Sequence, residues 1–288
     1  MPMDEPQHRL TVVGGGVMGS SIAALALGHG VPVTLVDLTE DVLRVTRENV
    51  DRQLRHAQLL GALPEGCAPA ELVTTTSPAA AAEATAVIEA VVEFSGTKAK
   101  VLAEFAALTG PGVPLITNTS GIPVDELAEA VPHPEDLVGT HFMNPPFLIK
   151  AVEVIRGPRT GERTLARVGS LLTALGRTAI EVRDAPGFVT SRLLHPMIND
   201  AARVVEAGTA TVEAVDELMR KCLGHPTGPL ATADLIGIDN LVDSLNILFE
   251  RTQDPGCRPC ELLLEKVRSG DLGRKSGRGF YDYGKASM

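Results

Sequence analysis

The sequence is poor in cysteine, has no long apolar run and contains fewer basic than acidic residues. Its four cysteines among 288 residues do not suggest a disulfide framework. No stretch of about 18 or more consecutive apolar residues occurs, so a membrane-spanning helix is not expected. The net charge of -10 argues against non-specific binding to nucleic acid, which needs a basic surface.

The N-terminus also lacks a secretory signal. The segment "MPMDEPQHRL" is polar and partly acidic, without the basic start and apolar centre of such signals. We therefore expect a cytoplasmic protein. Its composition, with 44% apolar and 22% charged residues, is that of an ordinary globular chain, and its length suits two domains.

A single pair of closely spaced cysteines raises the question of a metal or redox site. Cys257 and Cys260 in "CRPC" have the spacing that zinc and redox pairs use. Neither a second pair nor a suitably spaced histidine accompanies them. We therefore expect two ordinary thiols in a loop and no metal site.

The two parts of the chain differ in pattern. Up to about residue 182, short apolar runs such as "LTVVGG", "VPVTLVDL", "AVIEAV" and "LVGTHFM" alternate with helical patterns, which predicts βα units. After "DAPGF", segments of helical spacing follow one another. We predict an α/β fold with a doubly wound, mostly parallel Rossmann domain over residues 1–184 and an all-helical domain over residues 185–288.

The segment "GGGVMG" matches a dinucleotide-binding turn. Gly14, Gly16 and Gly19 fit the pattern G-x-G-x-x-G and enclose Val17 and Met18, with an apolar strand before and a helical pattern after. The first glycine permits the tight turn, the second lets the backbone approach a pyrophosphate, and the third lets helix and strand pack closely. A purely structural turn is the alternative.

Asp37 ends the second apolar strand. An acid at this position hydrogen-bonds the adenosine ribose hydroxyls and repels a 2′-phosphate, so NAD is favoured over NADP. A simple strand-end turn residue is the alternative interpretation.

His141 is the most promising of the seven histidines. It follows an apolar strand and precedes a Pro-rich loop, where open α/β sheets place ligands. Glu153 lies in the next strand, "AVEVI", and an acid there could fix the tautomer of a basic histidine. From the spacing alone, a loop histidine and an ordinary strand charge remain the simpler interpretation.

Several blocks along nearly the whole chain are similar to the 3-hydroxyacyl-CoA dehydrogenase family. They are "VVGGGVMGSSIA", "VIEAVVE", "NTSGIPVDELA", "GTHFMNPPFLIKAVEVI", "DAPGFVTSRLL", "CLGHPTGPLATADLIGIDN" and "GRKSGRGFYDY". The resemblance implies an NAD-binding N-terminal domain and a helical C-terminal domain that forms a homodimer. It also implies reversible oxidation of the β-hydroxyl of an acyl thioester to a ketone.

The resemblance extends to individual residues. His141 resembles the family's general base, Glu153 the partner that orients it, and Ser120 the donor to the reacting oxygen. Four further residues match the family's cofactor contacts: Glu93, Lys98, Asn118 and Asn144.

The chain departs from the family at Ser191, which completes the implied catalytic set. The family usually has asparagine here, and serine is shorter and offers a hydroxyl instead of an amide. Two interpretations stay open. The change is either tolerated drift with lower activity, or an adaptation of the pocket to an unusual, more polar acyl group.

A second departure concerns the carrier of the thioester. Family members commonly have lysines, after the second strand, that meet the phosphates of CoA. In "RQLRHAQLLGALPEG", Leu59, Leu60 and Ala62 stand at such positions, while Arg52, Arg55 and His56 remain nearby. The loss fits a thioester on an acyl carrier protein, as in branches that make hydroxymalonyl or methoxymalonyl extender units for polyketides.

Three other functions stay open. One is an ordinary 3-hydroxybutyryl-CoA dehydrogenase of fatty acid or butanoate metabolism. Another is an NAD-binding structural or regulatory protein that has lost its chemistry. A dehydrogenase of free hydroxy acids is disfavoured, since Arg192 is the only nearby residue able to clamp a carboxylate and it matches the thioester family as well.

Overall fold

A computed structural model of the chain describes residues 8–284. Residues 1–7, which make up most of the segment "MPMDEPQHRL" on which the expectation about a secretory signal rests, lie outside the described part. The chain divides between Ala185 and Pro186 into two compact units, one residue from the boundary predicted from the sequence. Within residues 8–284, no helix is both long and apolar enough to traverse a lipid bilayer.

One eight-stranded sheet forms the framework of the first unit. Its strands are β1 (Leu10–Val13), β2 (Val33–Val36), β3 (Leu72–Thr75), β4 (Ala86–Glu89), β5 (Leu115–Asn118), β6 (Leu137–His141), β7 (Ala151–Arg156) and β8 (Thr178–Arg183). Their order across the sheet is β3-β2-β1-β4-β5-β6-β7-β8. The strand order reverses between β1 and β4, the position at which open α/β sheets bind ligands. The predicted α/β fold is confirmed.

One strand pair departs from the parallel pattern. β7 runs antiparallel to β6, and its register places Glu153 directly opposite His141. The connecting segment 142–150 is too short for the crossover that a parallel pair needs, which takes about a dozen residues or more. The short connection therefore brings these two residues side by side.

Five helices accompany the sheet: α1 (Val17–Gly28), α2 (Glu40–Leu59), α3 (Ser95–Thr109), α4 (Val124–Ala128) and α5 (Glu162–Ala174). α1 is apolar on all sides, and its residues from Gly19 onward are buried. It contacts α2, β1 and β2, and forms much of the core of this unit. α2 is amphipathic instead and buries only Leu43, Thr46, Val50 and Ala57.

The second unit is all-helical within the described residues. Its helices are α6 (Thr190–Glu206), α7 (Val212–Leu223), α8 (Pro229–Ile236), α9 (Ile238–Thr252) and α10 (Glu261–Ser269). Their apolar sides meet in a core that includes Ile198, Leu230 and Leu241. Helical spacing runs without a break through the sequence of α8 and α9, but Gly237, with φ of 94°, separates the two helices.

Two buried carboxylates attach the C-terminal signature to the helices. Asp234 of α8 accepts the backbone N–H groups of Phe280 at 2.8 Å and Tyr281 at 2.9 Å, and the Tyr283 hydroxyl at 3.0 Å. Asp216 of α7 accepts the Tyr281 hydroxyl at 2.9 Å. The segment "GRKSGRGFYDY" therefore closes the helical unit, since it supplies three donors to the buried Asp234 and one to Asp216, which also accepts the backbone N–H groups of Leu230 and Ala231.

The two cysteines of "CRPC" are free thiols, and both are buried. Burial raises the pKa of the Cys257 thiol and that of the Cys260 thiol. Cys67 and Cys222 are also free, but they are exposed. Because the thiolate is the reactive species, we expect Cys257 and Cys260 to react with Ellman's reagent more than about tenfold more slowly than the exposed pair.

The reaction is followed at pH 8 on folded protein and repeated in denaturant, where all four thiols become equivalent. A Cys67→Ser/Cys222→Ser variant serves as the control, because it removes the fast phase. Rapid labelling of Cys260 in the folded protein, located by mass spectrometry, would contradict the expectation that the buried thiols react slowly.

Candidate active site

His141 is the last residue of β6 and lies at the carboxyl edge of the parallel strands. Its Nδ1 is 2.8 Å from Oε2 of Glu153, and the two side chains are only 12% and 7% exposed. A carboxylate in this position accepts the Nδ1 proton and fixes the ring orientation, so Nε2 is the nitrogen that can take a further proton. The pair therefore has the geometry of a general base and its orienting partner.

The glycine motif forms the turn between β1 and α1. Gly14 has φ of 100°, and a Cβ on it would lie 2.7 Å from the carbonyl oxygen of Ala90. A Cβ on Gly19 would lie 1.8 Å from the carbonyl oxygen of Gly14, so neither position accepts a side chain. By contrast, a Cβ on Gly16 would meet nothing within 4 Å. The space in front of Gly16 is open.

Asp37 is joined to this turn. Its Oδ2 accepts the backbone N–H of Gly15 at 2.6 Å, and its Oδ1 accepts that of Leu38 at 2.6 Å. Thr46 of α2 also holds the turn, since its hydroxyl donates to the carbonyl of Gly15 at 3.0 Å. A carboxylate has about four acceptor sites, so Asp37 keeps capacity for ribose hydroxyls.

The glycine turn and Asp37 are suited to bind a dinucleotide. α1 starts directly after Gly16 without a side-chain cap, so its first backbone N–H groups face the open space that a phosphate would fill. Val17 and Met18 would contribute such N–H groups, and Asp37 would accept from the adenosine ribose.

Glu93 and Ser120 lie close together beyond the ends of β4 and β5. Oε1 of Glu93 accepts the Ser120 backbone N–H at 2.9 Å and the Ser120 hydroxyl at 3.3 Å. The same oxygen accepts the hydroxyl of Thr119 at 2.5 Å. Glu93 thus anchors the turn that carries Ser120 through the backbone, while its bond to the serine hydroxyl is long.

Lys98 lies beneath Glu93 and is fully buried. Its ammonium contacts Oε1 of Glu89 at 2.8 Å and Oε2 of Glu93 at 3.2 Å, and donates to the carbonyl of Asn118 at 2.8 Å. Its ammonium is therefore held inside the protein between two carboxylates and a backbone carbonyl. Direct contact between Lys98 and the cofactor stays a prediction.

Asn118 and Asn144, the two asparagines predicted to contact the cofactor, differ in their surroundings. Oδ1 of Asn118 accepts the backbone N–H of Phe142, the residue after His141, at 3.2 Å. Asn144 lies exposed in the loop after β6, and its peptide bond to Pro145 is cis. Asn118 therefore holds the backbone next to His141 from β5, and a cofactor contact of either asparagine stays a prediction.

Ser191 belongs to the second unit. It lies in the first turn of α6 and is 4% exposed. Its place in the catalytic set stays a prediction from the family resemblance.

The segment "RQLRHAQLLGALPEG", which has no lysine, forms the end of α2 and the turn after it. Leu59 and Leu60 are 85% and 51% exposed. Arg52 and Arg55 are exposed as well. They share one side of the helix with Leu59, because Arg55 is three residues from Arg52 and four from Leu59, and positions three or four apart are neighbours on a helix surface. This side therefore combines apolar and cationic groups.

Sequence reasoning missed Glu89, which completes the charged group under Ser120. Oε2 of Glu89 also accepts the Thr117 hydroxyl at 2.7 Å. An acid within the apolar run "AVIEAV" was the available signal, because acids are almost never fully buried unless they are paired.

Two family models match the chain. The one described as "3-hydroxyacyl-CoA dehydrogenase, NAD binding domain" covers residues 9–185, and the C-terminal domain of the same family covers residues 187–283. A protein of Bacillus subtilis named probable 3-hydroxybutyryl-CoA dehydrogenase is 39% identical over 278 residues, which are 96% of this chain and 97% of that protein. A 3-hydroxybutyryl-CoA dehydrogenase of Mycobacterium tuberculosis is 38% identical over 286 residues, covering 98% and 100%.

Solved structures agree with these matches. The crystal structure of M. tuberculosis FadB2 has a TM-score of 0.91 and 37% identity, covering 96% of this chain and 99% of that chain. That of (S)-3-hydroxybutyryl-CoA dehydrogenase from Ralstonia eutropha has a TM-score of 0.88 and 35% identity, with the same coverage. The resemblance read from the sequence is confirmed: the chain belongs to the 3-hydroxyacyl-CoA dehydrogenase family and is an NAD-dependent enzyme.

Proposed function

We propose that the protein oxidises the 3-hydroxyl of an acyl thioester to a ketone, with His141 removing the hydroxyl proton. The observation that carries this proposal is the 2.8 Å contact between Nδ1 of His141 and Oε2 of Glu153. Glu153 orients the ring and stabilises the imidazolium that forms when Nε2 takes the proton. Bound NAD⁺ supplies the acceptor for the hydride that leaves carbon 3.

Ser120 assists by donating a hydrogen bond to the substrate oxygen. Its backbone N–H stays bound to Glu93 at 2.9 Å, whereas its hydroxyl is held by the weaker contact of 3.3 Å. A hydroxyl has one proton to donate, so it must turn from Glu93 to the substrate. The long contact makes this exchange inexpensive, and the anchored backbone keeps the donor in position.

For the carrier of the thioester, we propose an acyl carrier protein. Leu59 and Leu60 are exposed where lysines would meet the phosphates of CoA, and a carrier presents phosphopantetheine without those adenosine phosphates. The acyl group then belongs to the synthesis of polyketide extender units of the hydroxymalonyl or methoxymalonyl type. Ser191 supports this choice, since serine is shorter than the usual asparagine and leaves room for an acyl group with an additional hydroxyl, to which its own hydroxyl can hydrogen-bond.

The second candidate is 3-hydroxybutyryl-CoA. The relatives from B. subtilis and M. tuberculosis carry this substrate in their names and match nearly the full length of the chain. Arg52 and Arg55 still offer cations on the exposed side of α2. Fatty acid or butanoate metabolism would then be the setting.

A side-by-side assay separates the two carriers. The purified protein receives NAD⁺ with 3-hydroxybutyryl-CoA in one reaction, and with a 3-hydroxyacyl or glyceryl group on a carrier protein in the other. We expect kcat/KM for the carrier-bound substrate to exceed that for CoA at least about tenfold, which corresponds to ~1.4 kcal/mol. Fast turnover of the CoA substrate alone would contradict the carrier proposal.

Restoring a lysine sharpens the same test. Leu59→Lys should lower KM for the CoA substrate and leave turnover of the carrier-bound substrate no better than before. Val45→Lys is the matched control, because Val45 is also exposed on α2 but lies nearer its start. Cofactor binding without turnover of any thioester would favour the alternative of an enzyme that has lost its chemistry.

The homodimer implied by the family resemblance also remains a proposal. Leu193, Leu218 and Leu223 of the helical unit are each more than half exposed. Exposed apolar groups of this size support a protein interface, and symmetric dimers are the commonest assembly.

A further inference from the structure

A charged group lies buried beneath the turn that carries Ser120. The side chains of Glu89 and Lys98 are both 0% exposed. The Lys98 ammonium donates to Oε1 of Glu89 at 2.8 Å and to Oε2 at 3.1 Å, so the carboxylate holds it with both oxygens. A third bond, of 2.8 Å, runs to the backbone carbonyl of Asn118 at the end of β5. The three contacts fix the position of the ammonium.

Glu89 is itself fixed from two further sides. The backbone N–H of Val91 donates to Oε1 at 2.8 Å, and the hydroxyl of Thr117 donates to Oε2 at 2.7 Å. Burial raises the pKa of Glu89, and the Lys98 ammonium with these donors opposes that rise. Three donor groups therefore hold the carboxylate in place, away from solvent.

Lys98 connects Glu89 to the candidate active site. Its ammonium is 3.2 Å from Oε2 of Glu93, and Oε1 of Glu93 accepts the backbone N–H of Ser120 at 2.9 Å. The Asn118 residue that accepts from Lys98 also accepts the backbone N–H of Phe142, directly after His141. The Lys98 ammonium thus contacts Glu93, which holds Ser120, and also Asn118, which holds the backbone next to His141.

We propose that Glu89 is a positioning residue for the reaction, acting through Lys98 and Glu93 on Ser120. This inference rests on the proposed function, in which Ser120 donates to the substrate oxygen. A buried ion pair adds little stability compared with apolar side chains of the same volume. Packing alone therefore does not require Glu89 and Lys98, whereas placing Glu93 requires a fixed charge.

Glu89→Gln tests the proposal with nearly the same side-chain volume. Both oxygens of Glu89 contact the Lys98 ammonium, so the amide must direct its N–H₂ group toward that ammonium. The N–H₂ group repels the ammonium and displaces it from its position beside Glu93. With the thioester that the wild type turns over, we expect kcat to fall about tenfold to a hundredfold and KM to change little, since misplacement of a catalytic group costs about this much.

A readout independent of turnover accompanies the kinetics. Hydrogen–deuterium exchange of the peptide over residues 117–123 reports the Ser120 N–H, which Glu93 protects. We expect faster exchange of this peptide in Glu89→Gln. Loss of the proposed function would appear as a wild type without thioester turnover, whereas failure of the positioning role would appear as unchanged exchange.

Asp136→Asn is the matched control. Asp136 is a buried carboxylate that accepts the backbone N–H of Gly112 at 2.6 Å, but it precedes β6 at the end opposite His141. This variant should keep kcat and the exchange of residues 117–123 near those of wild type. An equal loss of kcat in Asp136→Asn would overturn the proposal, because any buried carboxylate would then give the same effect.

The double variant Glu89→Gln/Lys98→Met addresses stability. It removes both charges, so the melting temperature should recover from that of Glu89→Gln. We expect kcat and the fast exchange at Ser120 not to recover, because Glu93 still lacks its cation. Recovery of kcat together with the melting temperature would overturn the positioning role and leave a purely structural one.

Discussion

Replacing His141 with alanine is expected to lower kcat by about 10³-fold, within the range usual for loss of a general base. The reason is geometric: Glu153 holds the ring at 2.8 Å and directs Nε2 as the proton acceptor. NADH affinity should stay near that of wild type, since the glycine turn is separate in sequence from the histidine. Steady-state kinetics and binding measured on the same preparation check both expectations.

Two companion variants separate chemistry from structure. His141→Gln can still donate to Glu153, so it should fold as well as wild type and be as inactive as His141→Ala. Glu153→Gln should lower kcat by about 10²-fold or more, because the amide can stabilise the wrong tautomer and cannot stabilise the imidazolium. His133→Ala is the control, since His133 is half exposed and paired with Glu135. A loss of kcat below tenfold in His141→Ala would exclude this residue as the base.

Gly16→Ala is expected to weaken cofactor binding without unfolding the protein. Gly16 has φ of -65°, and a Cβ on it would meet nothing within 4 Å, so the chain accepts alanine. The added methyl group would occupy the space in which the backbone approaches a pyrophosphate. We expect the dissociation constant for NADH to rise at least about tenfold, which is ~1.4 kcal/mol. The chain lacks tryptophan, so NADH's own fluorescence reports binding without protein background from indole.

Two other glycines give the contrast. Gly19→Ala should lower the melting temperature strongly, because its Cβ would lie 1.8 Å from the carbonyl oxygen of Gly14. Gly169→Ala in α5 also meets open space, and alanine in a helix stabilises by about 1 kcal/mol relative to glycine. It should leave NADH affinity unchanged. If Gly16→Ala bound NADH as tightly as Gly169→Ala, the phosphate would not lie at this turn.

The sequence predicted what local pattern determines. The glycine spacing, the strand before it and the acid at Asp37 specified a dinucleotide turn, since each requirement is met within a few dozen residues. The α/β organisation followed from alternating runs in the same way. β3 was not predicted, because its sequence "LVTT" has only two apolar residues in succession and so gives no apolar run.

Pairing across the sheet decided the rest of the site. From spacing alone, His141 and Glu153 did not form a pair, and only the antiparallel register of β6 and β7 joins them. Glu89 and Lys98 likewise meet because β4 and α3 pack together, which no local pattern reveals.

By itself the sequence determined the family, the cofactor, the fold and the residue types available for chemistry, because these depend on motifs read along the chain. Only the tertiary structure showed the 2.8 Å contact between His141 and the predicted Glu153, what lies beneath Ser120 and why "GRKSGRGFYDY" is attached to Asp234. These contacts join residues far apart in sequence. Burial decides which of these groups meet, because a buried charge or N–H group costs free energy unless a complementary group lies within reach.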